Sequence, residues 1–295
     1  MMRALSLTVL STALLACAGR QPDWHVEPTP PQTTQAMEPR DEPDDPVALG
    51  DARWAERTDP QTVREAIAHW EGLVETEPSN AEVLVKLTHA YYFLADGYLR
   101  NDEDAYLEAL DAGVHWGERA MVAASPEFAA AMAADTKYPD AIARVGPQGV
   151  PAMFWYTTAL GKWAKKQGFA VMLRHKDNIK VTMERVLELD PTFLGGAPHT
   201  YFGVFYAVAP AIAGGDLQKS REHFEAALAI SPNVLSTKVL WAAELATKTQ
   251  DEETFDRLLA EVLEADENVV PQAIAENRVE KQKARELQAR RDELF

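Results

Sequence analysis

The chain has 295 residues, 46% of them hydrophobic, and a formal net charge of −17 from 29 basic and 46 acidic side chains. That is enough apolar sequence for a real core, in one large domain or two smaller ones. Such acidity excludes nucleic acid as a natural partner, because phosphates must be met by Lys and Arg, and no basic stripe is present to draw the chain to anionic lipid.

The first stretch reads MMRALSLTVLSTALLACAGR. Arg3 supplies a positive start, and Ala4 to Ala16 is an apolar run of signal-peptide length, too short to span a bilayer. Leu14-Leu15-Ala16-Cys17 resembles the bacterial lipobox, although Leu15 is a less usual residue at its position. The resemblance implies cleavage after Ala16 and acylation of Cys17, the one cysteine of the chain. Ala18, rather than Asp, follows the cysteine, which by analogy with lipoprotein sorting in double-membraned bacteria implies the outer membrane. Residues 1–16 are therefore expected to be a lipoprotein signal peptide, and the mature chain to be lipid-anchored and periplasm-facing.

Residues 17–58 are expected to be a disordered tether. GRQPDWHVEPTPPQTTQAMEPRDEPDDP is rich in Pro and acid and lacks apolar periodicity, so it buries too little surface to offset its ordering entropy. From 59 to 295 helical signals come one after another. Asp59 reads as an N-cap with Pro60 at the first helical position, and Val63, Ile67, Trp70 and Val74 share a face. Ser79 or Asn80 caps the next helix, which carries Val83, Leu84, Leu87, Tyr91 and Leu94. Further helices are expected at roughly 102–123, 126–144, 150–167, 171–189, 198–212, 216–230, 233–248, 251–265 and 271–293. No stretch alternates as a strand does, so the predicted fold is all-α.

The helices form related pairs. Ser220, Phe224, Ala227 and Pro232 stand at the same offsets as Ala66, Trp70, Leu73 and Pro78. The pattern resembles the second helix and terminal Pro of a tetratricopeptide (TPR) repeat, in which a small residue lets two helices approach and an aromatic fills the seam. The spacing of Pro78, Pro126, Pro191 and Pro232 is irregular, so the expectation is TPR-like hairpins with insertions, stacked as an α-solenoid or bundle. A non-repetitive helical bundle is the alternative.

Enzyme signatures are missing. No nucleophile elbow, phosphate loop, dinucleotide fingerprint or H-E-x-x-H occurs. None of the 7 histidines has another three or four residues away, so no single helix offers a two-His metal face. Asp102, Asp104 and Glu108 lack the loop spacing of an EF-hand and suit a helix N-terminus instead. No catalytic residue, metal or cofactor is expected. The charged C-terminal segment NRVEKQKARELQARRDELF reads as a solvated closing helix.

The aromatics carry more information. Phe154, Trp155 and Tyr156 are consecutive, so on a helix they face different directions, and the same holds for Tyr201 and Phe202. Some of them must face a second helix layer or a groove. The segment LGGAPHTYFGVFYAVAPAIAGGD, residues 194–216, is the strongest interruption of the helical pattern. Gly195 and Gly196 permit positive φ, Pro198 suits a first helical turn, and Gly203 and Ala207 form a small face. Pro210 should end or kink the helix, Gly214 and Gly215 make a turn, and Asp216 caps the next helix.

With its continuation through His223-Phe224 and Ser231-Pro232, this segment resembles the signature region of the TatT family, the T component of TPR-protein-associated TRAP transporters. His199 stands where a basic residue often follows the first Pro in that family. The resemblance implies a TPR-like envelope lipoprotein working beside a periplasmic solute-binding protein, assembled as a homotrimer, without bond chemistry. It also implies a ligand-compatible cleft for a small organic ligand. The candidate cleft residues are Trp155, Tyr156, Gly195, Gly196, His199, Tyr201, Phe205 and Tyr206. The alternative function is a TPR-like scaffold for envelope protein assembly.

Overall fold

The computed structural model describes residues 20, 22, 24 and 46–295. The expected signal peptide, Cys17 and most of the expected tether lie outside the described residues. Among the described residues there is no strand, and the fold is all-α.

The helical part starts ahead of residue 59. A first helix, α1 (Pro46–Ala55), lies against α2 (Pro60–Thr76), so part of the stretch read as tether is ordered. Its Trp54 packs beside Trp70 of α2 and edge-on to Phe93 of α3 (Ala81–Leu94). The caps form from short polar side chains. Asp59 Oδ1 accepts the Gln61 N–H at 2.8 Å, and Asn80 Oδ1 accepts that of Val83 at 3.2 Å. Asp102 caps α4 (Glu103–Ala124) by accepting the Ala105 N–H at 3.2 Å.

The expected helix at 126–144 is two helices, α5 (Pro126–Ala133) and α6 (Tyr138–Ile142). Asp135 takes a left-handed φ of 53° between them, and Pro139 restarts the chain in the first turn of α6. The long α7 (Val150–Gln167) then lies among α3, α4 and α8 (Phe169–Leu189). Next come α9 (Phe193–Val208) and α10 (Leu217–Ile230), which pair as a hairpin. α11 (Leu235–Leu240) runs through a π turn, Trp241–Ala246, into α12 (Thr247–Thr249). α13 (Glu252–Glu264), α14 (Ile274–Ala289) and α15 (Arg291–Leu294) close the chain.

Two hydrophobic cores result. The larger collects α2 to α8, and the smaller collects α10, α11, the π turn Trp241–Ala246, α13 and α14 around Phe224, Trp241, Phe255 and Leu258. Two helices belong to both. α9 gives Phe202 to the first and Ala207 to the second, and α14 gives Val279 to the first and Ala284 to the second. Three of the four repeat-like positions in each copy are interior, Ala66, Trp70 and Leu73 in α2 and Ser220, Phe224 and Ala227 in α10, while Pro78 is half-buried and Pro232 exposed. A small side chain and a ring at i and i+4 thus fill both helix pairs in the same way.

The closing helix is not merely solvated, as its charge pattern led us to expect. Asn277, Glu280 and Lys281 of α14 are buried. Lys283 Nζ donates to Asp96 Oδ2 at 2.7 Å and to Glu280 Oε1 at 2.7 Å, while Lys162 of α7 pairs with the other Asp96 oxygen. Asp96 sits in a π turn, Ala95–Leu99, that continues α3. The wider turn places a carboxylate inside the fold, where two ammonium groups meet it.

Candidate functional site

The interrupted segment builds the α9–α10 hairpin. Before it, Asp190 Oδ1 accepts the Thr192 N–H at 3.0 Å and the Thr192 hydroxyl at 2.8 Å, which fixes a tight turn. Leu194, Gly195 and Gly196 then take φ values of 47°, 72° and 88°. Three left-handed residues in succession reverse the chain before α9 proper begins. A Cβ on Gly196 would lie 3.2 Å from Ala227 Cα, so the glycine also lets the start of α9 rest on the end of α10. Leu194 bears the same backbone with a side chain, at a cost of about 1–2 kcal/mol. Pro198, buried, stands at the first turn after the reversal.

One turn on, the two helices cross closely. A Cβ at Gly203 would sit 2.9 Å from the Phe224 ring. Ser220 Oγ donates to the Gly203 carbonyl at 2.7 Å, and Thr200 and Thr237 share a hydroxyl contact of 2.8 Å. Beside this crossing His199 Nδ1 and His223 Nδ1 lie 3.1 Å apart. Burial holds both imidazoles below their ordinary pKa, His223 also through His199, so one ring donates and the other accepts. Tyr206 stacks on His223 at 5.5 Å, and Lys219 covers Tyr206 at 5.6 Å.

The far end of the hairpin is exposed. α9 stops at Val208, and Ala209 is extended before Pro210, as the proline requires. Residues 211–213 make one tight turn and Gly214 comes next with φ 94°. The Gly215 N–H returns to the Pro210 carbonyl and the Asp216 N–H to the Tyr206 carbonyl, each at 3.0 Å. Asp216 Oδ1 accepts the Gln218 and Lys219 N–H groups at 3.0 and 3.1 Å and starts α10. At the tip Ile212 is 100% exposed, flanked by exposed Val208 and Leu217.

The structure separates the sequence candidates into two groups. His199, Tyr201, Phe205 and Tyr206 share α9, with Gly195 and Gly196 at its start. Trp155 and Tyr156 lie on α7, where consecutive rings face different neighbours. Phe154 meets Phe193, Trp155 stacks on His89, and Tyr156 lies against Trp24. Tyr201 is held by packing beside Phe202, and burial pushes its hydroxyl pKa up. Two of the surface clefts among the described residues bear on this. One of about 280 Å³ is lined by Arg64, Tyr91, Leu99 and Glu108, and one of about 150 Å³ by Ile142, Val181 and Arg185. Neither is lined by a sequence candidate.

Sequence reasoning missed the Asp96 network. Burial pushes the Asp96 carboxyl up, but Lys162 and Lys283 outweigh it and hold the group well below the usual carboxylate range. Lys283 is raised in turn, burial being overcome by Asp96 and Glu280. An Asp-Gly inside the apolar α3 pattern was the available signal. Among the described residues, no group of three or more His, Cys, Asp or Glu is gathered as a metal site, and no helix is long and apolar enough to cross a membrane.

These features define an all-helical protein of packed helices with an exposed turn between α9 and α10. The family model for the TRAP transporter T-component matches residues 56–295, and the chain belongs to that family. It is thus an accessory component of a TRAP transport system. The comparison with curated proteins finds no match.

Proposed function

We propose that the protein is an envelope lipoprotein, acylated at Cys17 and held at the outer membrane, that serves its TRAP system by docking a periplasmic solute-binding protein. The observation that carries the reading is Ile212, fully exposed on a turn held by Pro210, Gly214 and two backbone hydrogen bonds. A branched apolar side chain presented on so defined a backbone, with Val208 and Leu217 beside it, has the character of a protein contact. The net charge of −17 favours a basic docking surface on the partner. A small organic ligand on the α9 aromatics and assembly as a homotrimer complete the proposal.

Calorimetry with the purified solute-binding protein of the same transport system tests the docking. Saturable binding is expected, and no heat at high concentrations of either protein rejects it. Fractionation tests the anchor: Cys17→Ser should move the protein to the soluble fraction. Native mass spectrometry of the purified chain reads the oligomer and any retained small molecule. A solely protein complex with other envelope proteins would favour the scaffold reading.

A further inference from the structure

The described residues nearest Cys17 in sequence, Arg20 and Trp24, are held against the helical body. Trp24 is 7% exposed, in a box of three rings from three helices. Phe128 of α5 meets it edge-on at 5.2 Å, Tyr138 of α6 lies at 5.7 Å and Tyr156 of α7 at 5.5 Å. Four residues earlier Arg20 reaches α4. Its Nε and Nη2 donate to the two oxygens of the buried Glu118 carboxylate at 3.4 and 3.1 Å, and its Nη1 donates to Asp111 at 2.5 Å. An aromatic plug and a two-oxygen guanidinium clamp, so close in sequence, fasten this segment to one face of the body.

We infer that Arg20 and Trp24 clip the acylated N-terminus to the α4–α5–α6 face, so that this face lies against the lipid surface. The inference rests on the acylation of Cys17 proposed above. Only three residue steps join Cys17 to Arg20. Fully extended they span about 10 Å, so Arg20 lies no farther than that from the anchored cysteine. Without the clip, a free coil of about 30 residues from Cys17 to Pro46 would hold the body on the order of 30 Å away. The difference decides orientation as well as height, since a short leash attached at one face cannot present another.

Charge makes the clip necessary. A chain whose full sequence carries a net charge of −17 is repelled by an anionic leaflet, and the repulsion acts over a Debye length of about 8 Å at physiological salt. Arg20 places its own cation between the membrane side and two carboxylates of α4, and the leash is about as long as the screening distance. A long flexible tether would let that repulsion push the body outward.

Energy transfer on vesicles tests this. The full-length acylated protein is labelled at Glu127→Cys on exposed α5, where Cys17 is acylated and the new thiol is the only free one. It is then reconstituted in phosphatidylethanolamine–phosphatidylglycerol vesicles carrying a headgroup acceptor. High transfer is expected. A Gly/Ser insert of about 20 residues between Cys17 and Arg20, which leaves the clip and the fold untouched, should lower transfer about threefold or more. Trp24→Ser with Arg20→Glu should do the same. Equal transfer in the parent and the insertion variant overturns the inference. Mass spectrometry of the same samples reads the acyl chains: their absence refutes the anchor itself. In Cys17→Ser, protection of the Trp24 segment from hydrogen exchange still reports the clip, and its loss in that soluble form would remove the clip independently of the anchor.

Discussion

Trp155 lies flat on the imidazole of His89, with 3.7 Å between ring centroids and 13° between planes, while Trp54 closes the other side edge-on at 4.9 Å. Burial, and then the Arg57 charge, bring the His89 pKa down to about 3. The unfolded chain, with an ordinary histidine near 6.5, takes up its proton first. Stability from this site is therefore complete above about pH 6.5 and is lost as pH falls toward 3. His175, His199 and His223, lowered as well, add to the same slope. His89→Gln should flatten part of the decline in thermal melting temperature between about pH 7 and pH 4. A slope identical to the parent's contradicts the assignment.

Asp96→Asn should be costly. It removes the carboxylate shared by Lys162, which is a third exposed, and Lys283, which keeps Glu280, and so should cost about 1–3 kcal/mol, less than a fully buried pair broken outright. Glu286→Gln removes the Arg100 pair from the exposed side of α14 and should cost about 1 kcal/mol or less. Urea unfolding of the two variants measures the contrast, and equal losses would deny the network its special weight.

Gly203→Ala drives a methyl group into the Phe224 ring, and the ring cannot yield because Trp241 stacks on it at 5.5 Å. A loss of about 1–3 kcal/mol is expected, or several degrees in melting temperature. Gly161→Ala on α7, where the added carbon meets nothing within 4 Å, serves as the control and should be neutral or slightly stabilising. Calorimetric melts distinguish them.

Ile212→Asp should leave stability within about 0.5 kcal/mol of the parent, because the side chain has no packing to lose. Its affinity for the solute-binding protein should fall by about tenfold or more, as for the loss of a central apolar anchor. Unchanged affinity would move the docking face away from the α9–α10 turn.

Local chemistry was readable where short-range rules decide structure. Asp59, Asn80 and Asp102 announced their helices because a cap needs only a carboxylate or amide next to a helical start. The turn at Pro210 came from a missing N–H. Structure that depends on distant partners was not readable. Nothing near Trp155 names His89, and nothing near Trp24 names Phe128, Tyr138 or Tyr156. The composition that made residues 17–58 look like a tether is real, yet a helix at Pro46–Ala55 and one buried ring at Trp24 escape an average over the segment. α14 misled in the opposite sense, since Glu280 and Lys281 are interior and Glu280 is paired with Lys283.

The bond between Asp96 and Lys283 spans 187 positions of the chain. During synthesis at about 5–20 residues per second, the carboxylate is made on the order of 10–40 s before its second ammonium partner. The first core therefore stays unfinished until α14 has emerged, with a charged gap in the place that helix will fill. Asp96 thus links the completion of the first core to the arrival of α14.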